Sequence, residues 1–502
     1  MEGFTLKSTY AISKDNKNGS YALVNNTPLT IKNGTFAAGQ ARAIGALETL
    51  TLDGATVTQT LTGGHACVAF CADGKTYTIK NNSAIEGAYA VCNFANNSTI
   101  NITGSTLIGT GNTLYHNGSN YGLKLTVKDT TIASSGSDGC GVYISGSTSA
   151  QSNAANQNGA GGYQQATFTG CTISGATNGV EVKYTDLTLD SCTASTTAKD
   201  ASYKQDNNGP AGSGFAVVST DNAMNNVTPK PEGTIIIKGA GKYTGPVGLG
   251  SLKSVKETYA DFADETIKVS DGTFTVAVPE AYCAPGYTPT ANADGTYGVK
   301  LAEGAYLLQD YRSGAQASWT YPTKDNMAFA GWYKDASYTT PCTSSDVEGA
   351  AYAKFVPITD LLKFKGGSLR MDKNTPNEST DLRFGYTMAI PENTAFVENG
   401  WYFKTVSSSQ SEVVRKSANN NALNIDGTVT AFIVFTGVTP DYYSSEFNEK
   451  AFVKYVTVDG TTVEVVESNY QTRSVDGVAQ MILSHSMASQ SEKDYATKIL
   501  AA

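Results

Sequence analysis

Charge is scarce in this sequence: of 502 residues, 36 are Lys or Arg and 45 are Asp or Glu, leaving a formal net charge of −9. Charged residues are 16% of the chain, against about 25% in an average globular protein. The surface must therefore be built from Ser, Thr, Asn and Gly. A basic face of the kind that holds nucleic acid is missing, and Arg42 is the only arginine before Arg312. Proline is low as well, at 14 residues, with Pro28 and Pro210 the only two before Pro229. Runs of about 18 apolar residues are absent, so no insertion into a membrane is expected. Met1-Glu2-Gly3-Phe4 passes straight into polar alternation with no signal-peptide pattern. That leaves a cytoplasmic protein, or an exported one whose targeting and anchoring segments lie outside this sequence; with Lys favoured over Arg and a Thr/Asn-rich composition, the expectation is the second, an extracellular, cell-surface protein.

What is present is glycine (50), tyrosine (28) and phenylalanine (18), arranged in a repeat. An eight-residue template recurs: apolar, any, apolar, any, turn residue, small, usually Thr, apolar. Its copies are LTIKNGTF (29–36), LTLDGATV (50–57), YTIKNNSAI (77–85), INITGSTL (100–107), LTVKDTTI (125–132), ATFTGCTI (166–173), LTLDSCTA (187–194), IIIKGAGKY (235–243) and IKVSDGTF (267–274). Setting aside three longer gaps, successive copies start 21–27 residues apart. Positions one and three share a strand face. The Asn, Asp or Gly at position five tolerates left-handed backbone angles and lets the chain turn a corner. Further short apolar runs such as CVAF (67–70), CGVYIS (140–145) and NGVEVKY (178–184) lie between copies. Short strands repeating with one corner motif in register describe a right-handed parallel β-helix, a solenoid whose turns bury their inward residues only by stacking. A β-sandwich offers alternating strands but no such recurrent corner. Stretches 145–165 and 199–213 interrupt the period and are expected to be loops.

After about residue 275 the period is lost. PEAYCAPGYTPTANADGTYGV (279–299) reads as a hairpin with an Ala-Asp-Gly-Thr turn. It resembles the segment that ends β-helix repeats in surface adhesin-like proteins of gut Gram-positive bacteria, where it would cap the last turn. AFAGWYKDASYTTPCTSSDVEGAAYAKF (328–355) resembles the internalin-type repeat, a small β-grasp-like spacer or adhesive module, through Phe329, Gly331, Trp332, Tyr333, Asp335, Tyr352, Ala353 and Lys354. Phe355 stands where that family usually has Trp. The remainder reads as a C-terminal α+β or β-rich module of the same class of proteins, with a helix over 475–484 capped by Ser474 and another over about 491–500. The expected fold is thus mainly β: a parallel β-helix with its cap over 1–300, an internalin-type module over 301–357 and a C-terminal module over 358–502.

Catalytic signatures are hard to find. Resemblance to pectate lyases would require an Arg base beside clustered Asp ligands, and resemblance to polygalacturonases a Gly-His-Gly and an Arg-Ile-Lys motif. The solenoid has neither. Alignment of the strands between copies places Tyr143 above Glu181 and Ala216 on one outward column, without a stacked pair of acids. Asp186 and Asp190 sit at solvated positions. His65, His116 and His485 have no metal-ligand spacing, the stretches 14–20 and 292–298 read as turns, and no cofactor or metal is expected. The eight cysteines include Cys171 and Cys192 at the same template position on adjacent turns, a spacing that allows either a disulfide or a ladder of small buried thiols; free stacked thiols are the expectation. The expectation is a non-catalytic, monomeric adhesin or stalk facing a host surface protein or glycan, with Tyr115, Tyr143 and Tyr163 as the ligand-binding aromatics. The alternatives are a polysaccharide-degrading lyase or glycosidase, and a trimeric viral tailspike.

Overall fold

The computed structural model describes residues 2–11, 21–60, 63, 65–116, 118, 120–145, 164–183, 185–204, 209–220, 233–250, 267–307, 321–347, 349–370, 378–404, 412–416 and 428–502. The chain divides into two compact units, one spanning Met1–Ala302 and one comprising Glu303–Gln309 and Gln316–Ala502.

The first unit is a solenoid of three parallel sheets. All nine template copies fall in one sheet, here the template sheet, in unbroken register. Its first row is Leu29, Leu50, Tyr77, Ile100, Leu125, Ala166, Leu187, Ile235 and Ile267. The third-position row, from Ile31 to Val269, is buried throughout. The corner chemistry is equally regular, because position five has positive φ in eight copies, from Asn33 (49°) and Gly54 (66°) to Ser191 (56°) and Gly239 (71°). Position eight then enters the second sheet, where Phe36, Val57, Ile85, Leu107, Ile132, Ile173, Ala194, Tyr243 and Phe274 stack inward. The runs between copies make the third sheet, from Tyr21–Asn25 to Val247–Gly250. Each turn thus gives one strand to each sheet and shares a single core with its neighbours. The expected hairpin, Tyr287–Ala291 with Tyr297–Leu301, pairs antiparallel with the last strand at Phe274 and Tyr297. Cys171 and Cys192 are free thiols on adjacent turns, donating to Thr169 O and Asp190 O, each at 3.4 Å.

One inward row of the third sheet carries polar groups. Asn93 and His116 are register partners, both buried, and the Asn93 amide donates to His116 Nδ1 at 3.0 Å. An amide nitrogen only donates, so Nδ1 accepts and the ring is neutral. Burial lowers the imidazole pKa from 6.5 to about 4. The unfolded chain therefore binds the proton more readily, and stability falls as pH drops from 6.5 towards 4, by about 3 kcal/mol from this residue. Urea denaturation of the solenoid at pH 7 and pH 4 should show this loss, and His116→Asn should abolish its share. An equal loss in the variant would reject the assignment.

The second unit has a three-stranded antiparallel sheet (Ala305–Leu307, Ala350–Pro357, Met327–Tyr333), a second of three strands (Leu362–Arg370, Thr380–Ala389, Thr428–Val438) and a five-stranded sheet built around Phe447–Val456. Two helices follow, Val475–Ser484 and Gln490–Leu500. Ser474 caps the first by accepting from Gly477 N, and Val475, Val478 and Ala479 bury the apolar stripe. Residues on either side of position 357 share one core: Phe329 and Trp332 cluster with Phe384, Trp401, Tyr455 and Val478. Tyr455 also donates its hydroxyl to Phe329 O at 2.6 Å. Among the described residues, no helix is long and apolar enough to cross a membrane.

Candidate functional site

The outward column of the third sheet runs Ala69, Cys92, Tyr115, Tyr143, Glu181, Val218. Glu181 is followed by Val218, not the expected Ala216. Tyr115 and Tyr143 are brought together as expected, with ring centroids 5.4 Å apart and an interplanar angle of 19°. Tyr89 adds a third ring 5.4 Å from Tyr115. Tyr163 lies outside the described residues.

The expected open platform is not formed at Tyr143. Tyr115 is half-buried, but Tyr143 is fully buried, because residues 209–212 cross over it. Its hydroxyl donates to Gly209 O at 3.0 Å, and Lys183 Nζ donates to the same carbonyl at 2.9 Å. Beside them the buried Glu181 carboxylate accepts from Ala211 N (2.7 Å), Gly212 N (3.2 Å), Thr220 Oγ1 (2.9 Å) and Asn178 Nδ2 (2.8 Å). Burial raises the Glu181 pKa, and the nearby Lys183 ammonium and these donors oppose the rise. The Cys140 thiol, 4.0 Å from Glu181 Oε2, is raised by burial and by that carboxylate.

An open groove of about 830 Å³ lies beside this covered patch. Its lining includes Tyr89, Asn112 and Asp138 from the solenoid, and Tyr203, Lys204 and Ala211 from the chain that carries the crossing segment. Ser202–Tyr203 and Gly212–Ser213 pair antiparallel and hold that wall upright. On the solenoid side, Asn112 Oδ1 accepts from Cys140 N at 2.8 Å, fixing its amide. Close packing of the turns keeps this floor flat: a Cβ on Gly139, at φ 151°, would lie 2.5 Å from the Gly111 carbonyl. Sequence reasoning missed these residues, since they sit at corners and in a loop where no periodicity marks them. The one available signal was the crowding of Tyr, Asn and Gly in the stretches that break the repeat.

Asp138 is the one carboxylate among the residues lining this groove. Glycoside hydrolysis uses two carboxyl groups about 5–9.5 Å apart, and Glu181 is sealed behind Ala211 and Gly212. Asp186 and Asp190 serve the ladder: Asp186 accepts from Thr234 N at 2.9 Å, and Asp190 lies 3.9 Å from Lys238 Nζ. Among the described residues no group of three His, Cys, Asp or Glu side chains is placed to hold a metal ion. No family model, no curated protein and no solved structure matches this chain.

Proposed function

We propose that this chain is a non-catalytic binding protein of a bacterial cell surface, an adhesin or stalk, whose solenoid presents the groove beside Tyr89 to a host glycan or glycan-bearing protein. The observation that carries the reading is the groove itself: tyrosine rings at 89 and 203, a fixed Asn112 amide, one cation and one carboxylate. Tyrosine faces pack on sugar rings at low conformational cost, and amide and charged groups hydrogen-bond the hydroxyls. A single lining carboxylate suits binding better than hydrolysis. Right-handed coiling belongs to the same reading, because parallel crossover connections are overwhelmingly right-handed. Export and surface attachment are supported by the Thr/Asn-rich, arginine-poor solenoid and by the resemblance of 279–299 and 328–355 to surface-protein segments. The internalin-type module is then a spacer and the protein acts as a monomer.

A glycan array tests this reading. The protein should retain a defined set of glycans, and Tyr89→Ala combined with Tyr203→Ala should weaken binding about tenfold, as expected for two lost ring contacts at about 0.5–1.5 kcal/mol each. Release of reducing ends from a retained glycan, lost in Asp138→Asn, would instead establish the glycan-degrading alternative.

A further inference from the structure

Tyr143, Glu181 and Lys183 form a polar cluster that the open groove does not use. Tyr143 and Glu181 are register neighbours, and the Lys183 ammonium lies 5.7 Å from the Tyr143 ring centroid. All three residues are 0% exposed. What covers them is backbone: the Gly209 carbonyl takes the Tyr143 and Lys183 donors, and the Ala211 and Gly212 amides take the Glu181 carboxylate. Asn178 Nδ2 adds a bond to Gly212 O at 2.7 Å. For merely fastening a loop this is a costly design, because desolvating each ion costs several kcal/mol that apolar side chains would not incur. As a ligand site the arrangement is economical. One flat ring is flanked by two donors converging on one oxygen position and by a carboxylate accepting from two hydrogen positions.

We propose that residues 209–212 are a strap occupying a second glycan-binding surface built from Tyr143, Glu181 and Lys183, and that an oligosaccharide and the strap compete for it. Tyr115 and Lys183 flank the Tyr143 ring, so a sugar packs against its outer edge and hydroxyl; a sugar oxygen replaces the Gly209 carbonyl, and two hydroxyls replace the amides of Ala211 and Gly212. The surface is continuous with the open groove, because Ala211 and Gly212 also line that groove and Tyr115 touches both Tyr89, at a tilt, and Tyr143, stacked. Strap displacement therefore lengthens one binding track. The inference rests on the groove being a glycan site.

The test uses the full chain with Ala211→Pro, which deletes the amide 2.7 Å from Glu181 and leaves every proposed ligand group in place. A second variant replaces residues 205–211 with a Gly-Ser linker too short to reach over Tyr143. Hydrogen exchange at Gly212 and Ser213 reports the strap, and binding to neutral, amino-sugar and uronic-acid oligosaccharides reports the surface. Expected are faster exchange and tighter binding, about tenfold if the strap is open a tenth of the time in the parent. Adding Tyr143→Ala should cancel that gain. Faster exchange with unchanged or weaker binding overturns the strap and leaves the groove reading standing. Unchanged exchange in both variants overturns the strap as well. No oligosaccharide bound by any form overturns both.

Discussion

Val127→Asp should unfold the solenoid and leave the second unit intact. Val127 is fully buried in the middle row of the template sheet, the fifth of nine register partners, between Ile102 and Phe168. Losing its burial costs about 1.5–3 kcal/mol. An aspartate there must either be desolvated without a partner or take up a proton, adding several kcal/mol more. Since each turn is buried by its neighbours, a failed central turn exposes both adjoining faces, and the damage spreads along the stack. The core of the second unit is a separate cluster that includes Trp332 and Trp401. Trp332 and Trp401 are buried in that core, and Trp319, the third tryptophan of the chain, lies outside the described residues. In a Trp319→Phe background, tryptophan emission should therefore be unchanged in the variant while limited proteolysis removes residues up to about 300. Simultaneous loss of both signals would show that the units do not fold independently, and an unaffected chain would show that Val127 does not face the core.

The solenoid was legible because two local rules agree at every turn. Strand alternation fixes which residues point inward, and the corner residue fixes where the alternation is reset, so Leu50, Leu125 and Leu187 fall into one register row although 137 residues separate the first from the last. The helix 475–484 was legible for a similar reason, Ser474 and a 3.6-residue apolar stripe both being local signals. Long-range covering was not legible. Alternation says that Tyr143 and Glu181 face outward, but only the fold shows that residues 209–212 seal them, through a bond spanning 66 positions. The misplacement of Ala216 for Val218 has a related cause. A slip of two residues preserves the face, so no violated pattern exposed the error. The groove eluded the sequence because Asn112, Asp138 and Tyr203 come from three different intervals between copies of the template. In the second unit, the stretch 328–355 gives no hint that Phe329 bonds Tyr455, 126 residues away.

In the second unit, Glu449→Gln should raise stability, and the gain should grow with pH. Glu449 is fully buried. Its Oε1 lies 2.6 Å from Tyr386 Oη, which also lies 2.7 Å from Glu467 Oε2. One phenolic proton cannot serve two carboxylates, so the pair holds a second proton and one acid is neutral. Glu449 is the better candidate, because burial raises its pKa from 4.5 to about 8, with Glu467 adding to the rise while the Tyr386 hydrogen bond and Arg473 oppose it. The sign follows directly. The folded state binds the proton more tightly than the unfolded chain, so the stabilisation is complete below pH 4.5 and is lost as pH rises through 8. The full loss is about 4–5 kcal/mol. A glutamine keeps a donor for Tyr386 and never ionises, so the variant should be indifferent to this transition. Urea unfolding followed by tryptophan emission in the Trp319→Phe background, which reports only this unit, should show parent and variant close together at pH 4.5. By pH 9 they should be separated by several kcal/mol in favour of the variant. A parent whose stability is flat between these pH values, or a variant weaker at both, would mean that Glu449 is ionised in the fold.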